Sequence, residues 1–88
     1  MIKLVWHKSF IRDYKKTRKK YPEIKEKLEE VLNIFVKDPY QPILGTHKLS
    51  GKLKGHDAFS LGYDLRVVFK FIDDEAVLIS LGSHEEVY

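Results

Sequence analysis

Residues 65–82 read "LRVVFKFIDDEAVLISLG", two apolar runs joined by Asp73, Asp74 and Glu75. In the first run Leu65, Val67, Phe69 and Phe71 share one parity, against Arg66, Val68, Lys70 and Ile72. Alternation over this length predicts a strand with one face in the core. The acids then turn the chain tightly, and residues 76–82 return as the second arm of a hairpin. Just upstream, "AFSLGYD" at 58–64 sets Phe59, Leu61 and Tyr63 against Ala58, Ser60 and Gly62. That adds a third strand and predicts an antiparallel meander.

The rest of the chain supplies what packs on it. "MIKLVWH" alternates Ile2, Leu4 and Trp6 against Lys3, Val5 and His7, a further half-buried strand. Ser9 sits where an N-cap is expected, ahead of a helix to about Lys20 with Phe10, Ile11 and Tyr14 on its apolar stripe. Pro22 suits the first turn of a second helix, in which Ile24, Leu28, Val31, Leu32 and Phe35 recur at helical spacing. "KDPYQP" ends it. Residues 42–56, "PILGTHKLSGKLKGH", hold no period and read as a loop, and long loops in small domains tend to be functional. The expected architecture is one α+β domain over residues 1–88, ordered β-α-α-β-β-β. A helical hairpin covers one face of an antiparallel sheet and leaves the other face for function.

Composition narrows the class. With 88 residues and no cysteine, the fold rests on packing, without disulfides, a thiolate metal site or a thiol nucleophile. No apolar run is long enough for a membrane span and "MIKLVWHKSF" lacks a signal-peptide core, so a soluble, cytoplasmic protein is expected. The net charge of +3 is modest but uneven. "KSFIRDYKKTRKK" at 8–20 is dense in Lys and Arg, including Lys15, Lys16 and Lys19, against the single acid Asp13. Such a stripe is either a solvated helix face or the footprint of a polyanion.

Several polar groups converge on the sheet. Arg66 lies in an otherwise apolar central strand, and the parity of Asp64 and Ser60 puts them on its face. If the last two strands form a hairpin, His84 returns beside Asp64 and Arg66. His47, Lys48, Lys52 and Lys54 lie in the loop that leads into the sheet. The chemistry that fits is RNA cleavage by the substrate's own 2′-hydroxyl, which requires neither metal nor cofactor. It requires a base, an acid and a cation against the developing phosphorane charge, roles open to histidine and arginine. Tyr88 offers a ring for base stacking. The plainer alternatives are an Arg66–Asp64 ion pair, solvated lysines and a terminal aromatic that anchors the chain to the sheet edge. No histidine pair falls at the helical spacing of a metal site.

Three stretches resemble one family over essentially the whole chain. "HKLSGKLKG" at 47–55 resembles the segment before the second strand in the YafQ branch of the RelE/ParE toxin superfamily. "YDLRVVF" at 63–69 is similar to the central strand of RelE-like toxins, and "ISLGSHEEVY" at 79–88 to the family ending. The resemblance implies a RelE-like fold and a ribosome-dependent mRNA endonuclease, neutralised by a cognate antitoxin. It implies catalytic roles for His47, Asp64, His84 and Tyr88 by the YafQ pattern, and for Arg66 by the RelE pattern. Lys52 and Lys54 match basic loop residues of the RelE-like branch. One departure stands out: Ser60 occupies the position of a second YafQ histidine, and a serine alone is no general base. A ParE-like gyrase poison and a degenerate antitoxin-binding module are the competing expectations.

Overall fold

The computed structural model describes residues 1–87. Strand β1 (Lys3–Trp6) leads into helices α1 (Lys8–Lys20) and α2 (Ile24–Lys37). Strands β2 (His47–Lys48), β3 (Asp57–Gly62), β4 (Leu65–Ile72) and β5 (Glu75–Ser83) follow, and one helical turn, α3 (His84–Val87), succeeds β5. The five strands form one sheet in the order β1-β5-β4-β3-β2. The α+β layout and the β3-β4-β5 meander match the sequence expectation.

The sheet is mixed rather than wholly antiparallel, because β1 pairs in parallel with β5, Lys3 opposite Glu75 through Trp6 opposite Leu78. A hairpin turn forces antiparallel pairing, but the connection from β1 runs through both helices and imposes no direction. Strand β2 is the other addition. Two residues inside the 42–56 segment pair with Asp57 and Ala58, too short a run for periodicity to register.

The starts of both helices also differ from expectation. His7, not Ser9, caps α1, its Nδ1 accepting the Ser9 N–H at 3.1 Å. Pro22 falls in the turn before α2, closed by the Ile24 N–H donating to the Tyr21 carbonyl. One apolar cluster unites Phe10 of α1 with Ile24, Leu28, Val31, Leu32 and Phe35 of α2 and with Phe59, Val67, Phe69 and Leu78 of the sheet. Phe35, Phe59 and Phe69 lie with ring centroids 4.9–5.7 Å apart at its centre. Each fully buried side chain of this kind contributes about 1.5–3 kcal/mol, which offsets chain entropy without covalent staples. Trp6 stays 37% exposed, but stands edge-on to Phe10 and Tyr14.

Beyond Leu78, β5 runs past β1, and an unpaired strand edge in a protein interior carries orphan N–H and C=O groups. Side chains satisfy them here. Ser9 Oγ donates to the Ile79 carbonyl at 2.5 Å, and the Leu81 N–H donates to Asp13 Oδ2 at 3.1 Å. The Ser83 N–H donates to Glu86 Oε1 at 2.9 Å. Ser9 is therefore drawn to the sheet edge instead of the helix cap. Among the described residues, no helix is long and apolar enough to cross a membrane.

Candidate active site

Directly paired residues in a sheet point to the same side. Phe59, Val67 and Leu81 lie opposite one another and enter the core, so their neighbours Ser60, Arg66 and Gly82 lie opposite one another on the face away from the helices. One step along, His47, Ala58, Val68 and Ser80 form a parallel row on that same face. Arg66, Ser60 and His47 are thereby gathered from three strands.

Arg66 is half-buried, and its Nη1 donates to the Leu65 carbonyl at 3.2 Å and approaches Ser60 Oγ at 3.5 Å. Ion pairs among the described residues are Lys3–Glu75 and Arg12–Asp13, so the ion-pair alternative of Arg66 with Asp64 is not realised. The His47 Nδ1–H donates to the Gly45 carbonyl at 3.1 Å. A carbonyl only accepts, so the lone pair of the neutral ring belongs to Nε2.

Asp64 does not share the face of Arg66. Tyr63 and Asp64 form the connection from β3 to β4 at φ 53° and 60°, and strand alternation does not run through a turn with both residues at positive φ. Asp64 leaves the sheet at the same end as His84, just outside the Leu65–Ser83 pair. His84 is exposed and opens α3. Gly82 lets that turn fold back on the strand, since a Cβ there would meet Glu86 Cβ at 3.1 Å and Val87 Cγ1 at 3.3 Å. Glu86 fixes the turn reciprocally, its N–H donating to Ser83 Oγ at 3.3 Å. The Ser83 backbone N–H first, and then the Ser83 side chain, hold the Glu86 carboxyl below its usual pKa, and Lys16 and Lys20 add to the effect.

Lys48 alternates with His47 and, opposite Asp57, points to the helix side. Lys52 lies in a 3-10 turn (Gly51–Leu53) with Lys54 directly after it, both exposed. Lys15, Lys16 and Lys19 are exposed on α1, across the sheet from Arg66. Tyr88 lies outside the described residues. No group of three His, Asp or Glu able to hold a metal occurs among the described residues.

A feature that sequence reasoning missed is a cleft of about 530 Å³ on the helix side. Lys16, Thr17, Lys20 and Tyr21 of α1 and its C-terminal boundary form one wall, and Tyr63 and Asp64 of the turn another. Glu86 and Val87 close it. Tyr21 and Tyr63 stack at 5.3 Å, and Lys20 Nζ sits 5.5 Å above the Tyr21 ring. Burial, then the neighbouring Glu23 carboxylate, raises the Tyr63 phenol above 10. The signal in the sequence was the dipeptide Tyr63–Asp64 between two strands, where Asn-Gly is the common choice.

Comparison with known proteins sets this geometry in context. A family model described as "Bacterial toxin of type II toxin-antitoxin system, YafQ" matches residues 2–88. A copper-bound mutant toxin from Helicobacter pylori is 32% identical over all of both chains, with a TM-score of 0.78. A conserved hypothetical protein of the same organism is 33% identical, again over all of both chains, with a TM-score of 0.71. The chain is also similar to the E. coli DinJ-YafQ toxin-antitoxin complex, at 17% identity and a TM-score of 0.77, over 99% of this chain and 97% of that one. At that identity the likeness speaks for the fold alone. No curated protein matches the sequence.

Proposed function

Because this chain belongs to the YafQ family of bacterial toxins of type II toxin–antitoxin systems, within the RelE/ParE superfamily, we propose that it is an endoribonuclease that cuts messenger RNA on the ribosome. The observation that carries this reading is Arg66, a guanidinium on the face away from α1 and α2 whose hydrogen-bond partners among the described residues are the neutral oxygens of Ser60 and Leu65. Its remaining donors suit phosphate oxygens, and His47 stands in the next row of the same face.

In the proposed reaction the 2′-oxygen of the message attacks the adjacent phosphorus while an imidazole removes its proton. The bond to the 5′-oxygen breaks, and a second imidazole protonates that oxygen. The products are a 2′,3′-cyclic phosphate and a 5′-hydroxyl. Arg66 offsets the charge that builds on the non-bridging oxygens. His47 suits the base, since its Nδ1–H is given to Gly45 and Nε2 carries the lone pair. His84 suits the acid, with Asp64 at the same end of the sheet to orient it. Tyr88 stacks on a base by family resemblance, while Lys52 and Lys54 neutralise flanking phosphates. Lys15, Lys16 and Lys19 meet ribosomal RNA. The partner in the resting state is a cognate antitoxin, as DinJ is seen with E. coli YafQ.

Ser60 supports a second reading, a member retained for antitoxin binding without cleavage, because a hydroxyl is no base on its own. Induction in growing cells separates the two. The nuclease reading expects growth arrest with cuts in translated messages, relieved by His84→Ala. Normal growth of cells that accumulate the folded wild-type chain would favour the second reading.

A further inference from the structure

We propose that the cleft between α1 and the Tyr63–Asp64 turn seats an unpaired nucleotide of the RNA strand next to the cut. The inference rests on the nuclease reading and deepens it, naming a second place on the protein for the same substrate. Three observations carry it.

The first is Tyr63 itself. A bulky side chain at φ 53° is strained where glycine or asparagine is at ease, and such residues persist when something else holds them. Tyr63 is nevertheless 50% exposed, so burial of its ring does not account for its presence. Tyr21 stacks on it at 5.3 Å, which leaves an aromatic surface backed by a second ring and open to solvent. Unpaired bases are gripped on such surfaces irrespective of sequence.

The second is charge. Three carboxylates line the cleft: Asp13 and Glu86 are engaged by backbone N–H groups, of Leu81 and Ser83 respectively, and Asp64 lies on the turn wall, away from the lysines of α1. Lys16 and Lys20 face the same space, and Lys20 lies over the Tyr21 ring and forms no ion pair among the described residues. A phosphate suits that wall, with the base on the Tyr63 ring. A volume of about 530 Å³ lies within the common range for small-molecule sites, and is ample for one nucleotide.

The third is position. Glu86 and Val87, which close the cleft, belong to the single turn that His84 opens. One helical turn advances about 5.4 Å, so a strand drawn past His84 is at the mouth of the cleft.

The test uses the purified full chain and a hexaribonucleotide carrying 5-iodouridine, with a 2′-O-methyl group at every step to prevent cutting. Irradiation is expected to crosslink Tyr63. Tyr63→Asn suits the positive φ of the turn and removes the ring, and is expected to weaken binding about tenfold, while Tyr63→Phe retains it. Lys16→Gln and Lys20→Gln, exposed changes that leave packing intact, are each expected to lower the salt slope by about 0.7. Crosslinks confined to the Arg66 face, with affinity and slope unchanged in these variants, would overturn the cleft while message cutting by wild type kept the nuclease reading alive. Crosslinking at Tyr63 by a chain that cuts no message would do the reverse. Loss of antitoxin binding in Tyr63→Asn with RNA binding intact would assign the cleft to the protein partner and also overturn the proposal.

Discussion

Ser60 and Arg66 face each other across β3 and β4, and the Ser60 hydroxyl lies 3.5 Å from the Arg66 guanidinium. That distance is at the outer limit of a hydrogen bond, so Ser60 restrains Arg66 only weakly. Ser60→Ala is expected to slow cleavage less than about fivefold, equivalent to roughly 1 kcal/mol. Ser60→His puts an imidazole beside the guanidinium and is expected to raise the single-turnover rate at least about tenfold, within the usual reach of an acid–base group. A slower Ser60→His enzyme would mean that the hydroxyl has a role of its own.

Arg66 itself is expected to matter far more. Removing a preorganised donor to a developing oxyanion typically costs about 10²–10³ in rate, and Arg66→Ala is expected in that range. Arg66→Lys should recover only part of it, because a point charge lacks the planar fork. Melting temperatures of both variants should stay near wild type, and a large fall would instead make Arg66 a structural residue.

The lysines of α1 lie across the sheet from Arg66, so their loss should act on binding and not on the chemical step. Charge reversal at Lys15, Lys16 and Lys19 is expected to weaken ribosome association and to lower its salt slope by about one per lost contact. A slope unchanged from wild type in a sedimentation assay would remove these residues from the RNA interface.

Asp13 is expected to be a stability residue despite its place in a basic helix. Its carboxylate takes the Leu81 N–H at the uncovered edge of β5, and hydrogen bonds to charged groups contribute about 1.5–3 kcal/mol. Asp13→Ala should therefore lower the melting temperature, by about 4–8 °C per kcal/mol lost in a domain of this size. Asp13→Asn, which keeps an acceptor, should lose less. The Arg12–Asp13 ion pair, 3.8 Å long with Arg12 exposed, adds little.

Glu86 ties stability to acid. Its folded-state pKa lies below the ordinary 4.5, so the carboxylate's contribution is complete above the unfolded value and disappears as pH falls through the folded one. The melting temperature of wild type should exceed that of Glu86→Ala at neutral pH. The gap should close from about pH 5 downward. A gap that persists unchanged to low pH would mean that the carboxylate's charge has no part in holding α3.

The sequence carried the meander and the helical hairpin because their periods are long and their apolar faces unbroken. Phe59, Val67, Phe69, Leu28 and Phe35 are where alternation and helical spacing put them. The parallel pairing of β1 was not legible, since nothing local to residues 3–6 names a partner. Ser9 was misread because serine suits both a cap and a strand edge, and only the fold brings Ile79 to it. In the candidate site, parity assigned Ser60 to the face of Arg66, and cross-strand pairing puts it there although a register shift and the β3–β4 turn lie between the two. Parity failed for Asp64, where the two-residue turn intervenes, and the Tyr21–Tyr63 stack joins residues that no local pattern connects.

The most direct single measurement is the chemistry of the ends made when the purified chain meets a ribosome-bound message. A 2′,3′-cyclic phosphate on the upstream fragment and a 5′-hydroxyl on the downstream one are expected, both absent with Arg66→Ala. A 3′-hydroxyl facing a 5′-phosphate would mean that water, not the 2′-oxygen, attacks phosphorus. An intact message would mean that the fold, with Arg66 half-buried on the face away from α1 and α2, serves something other than cleavage.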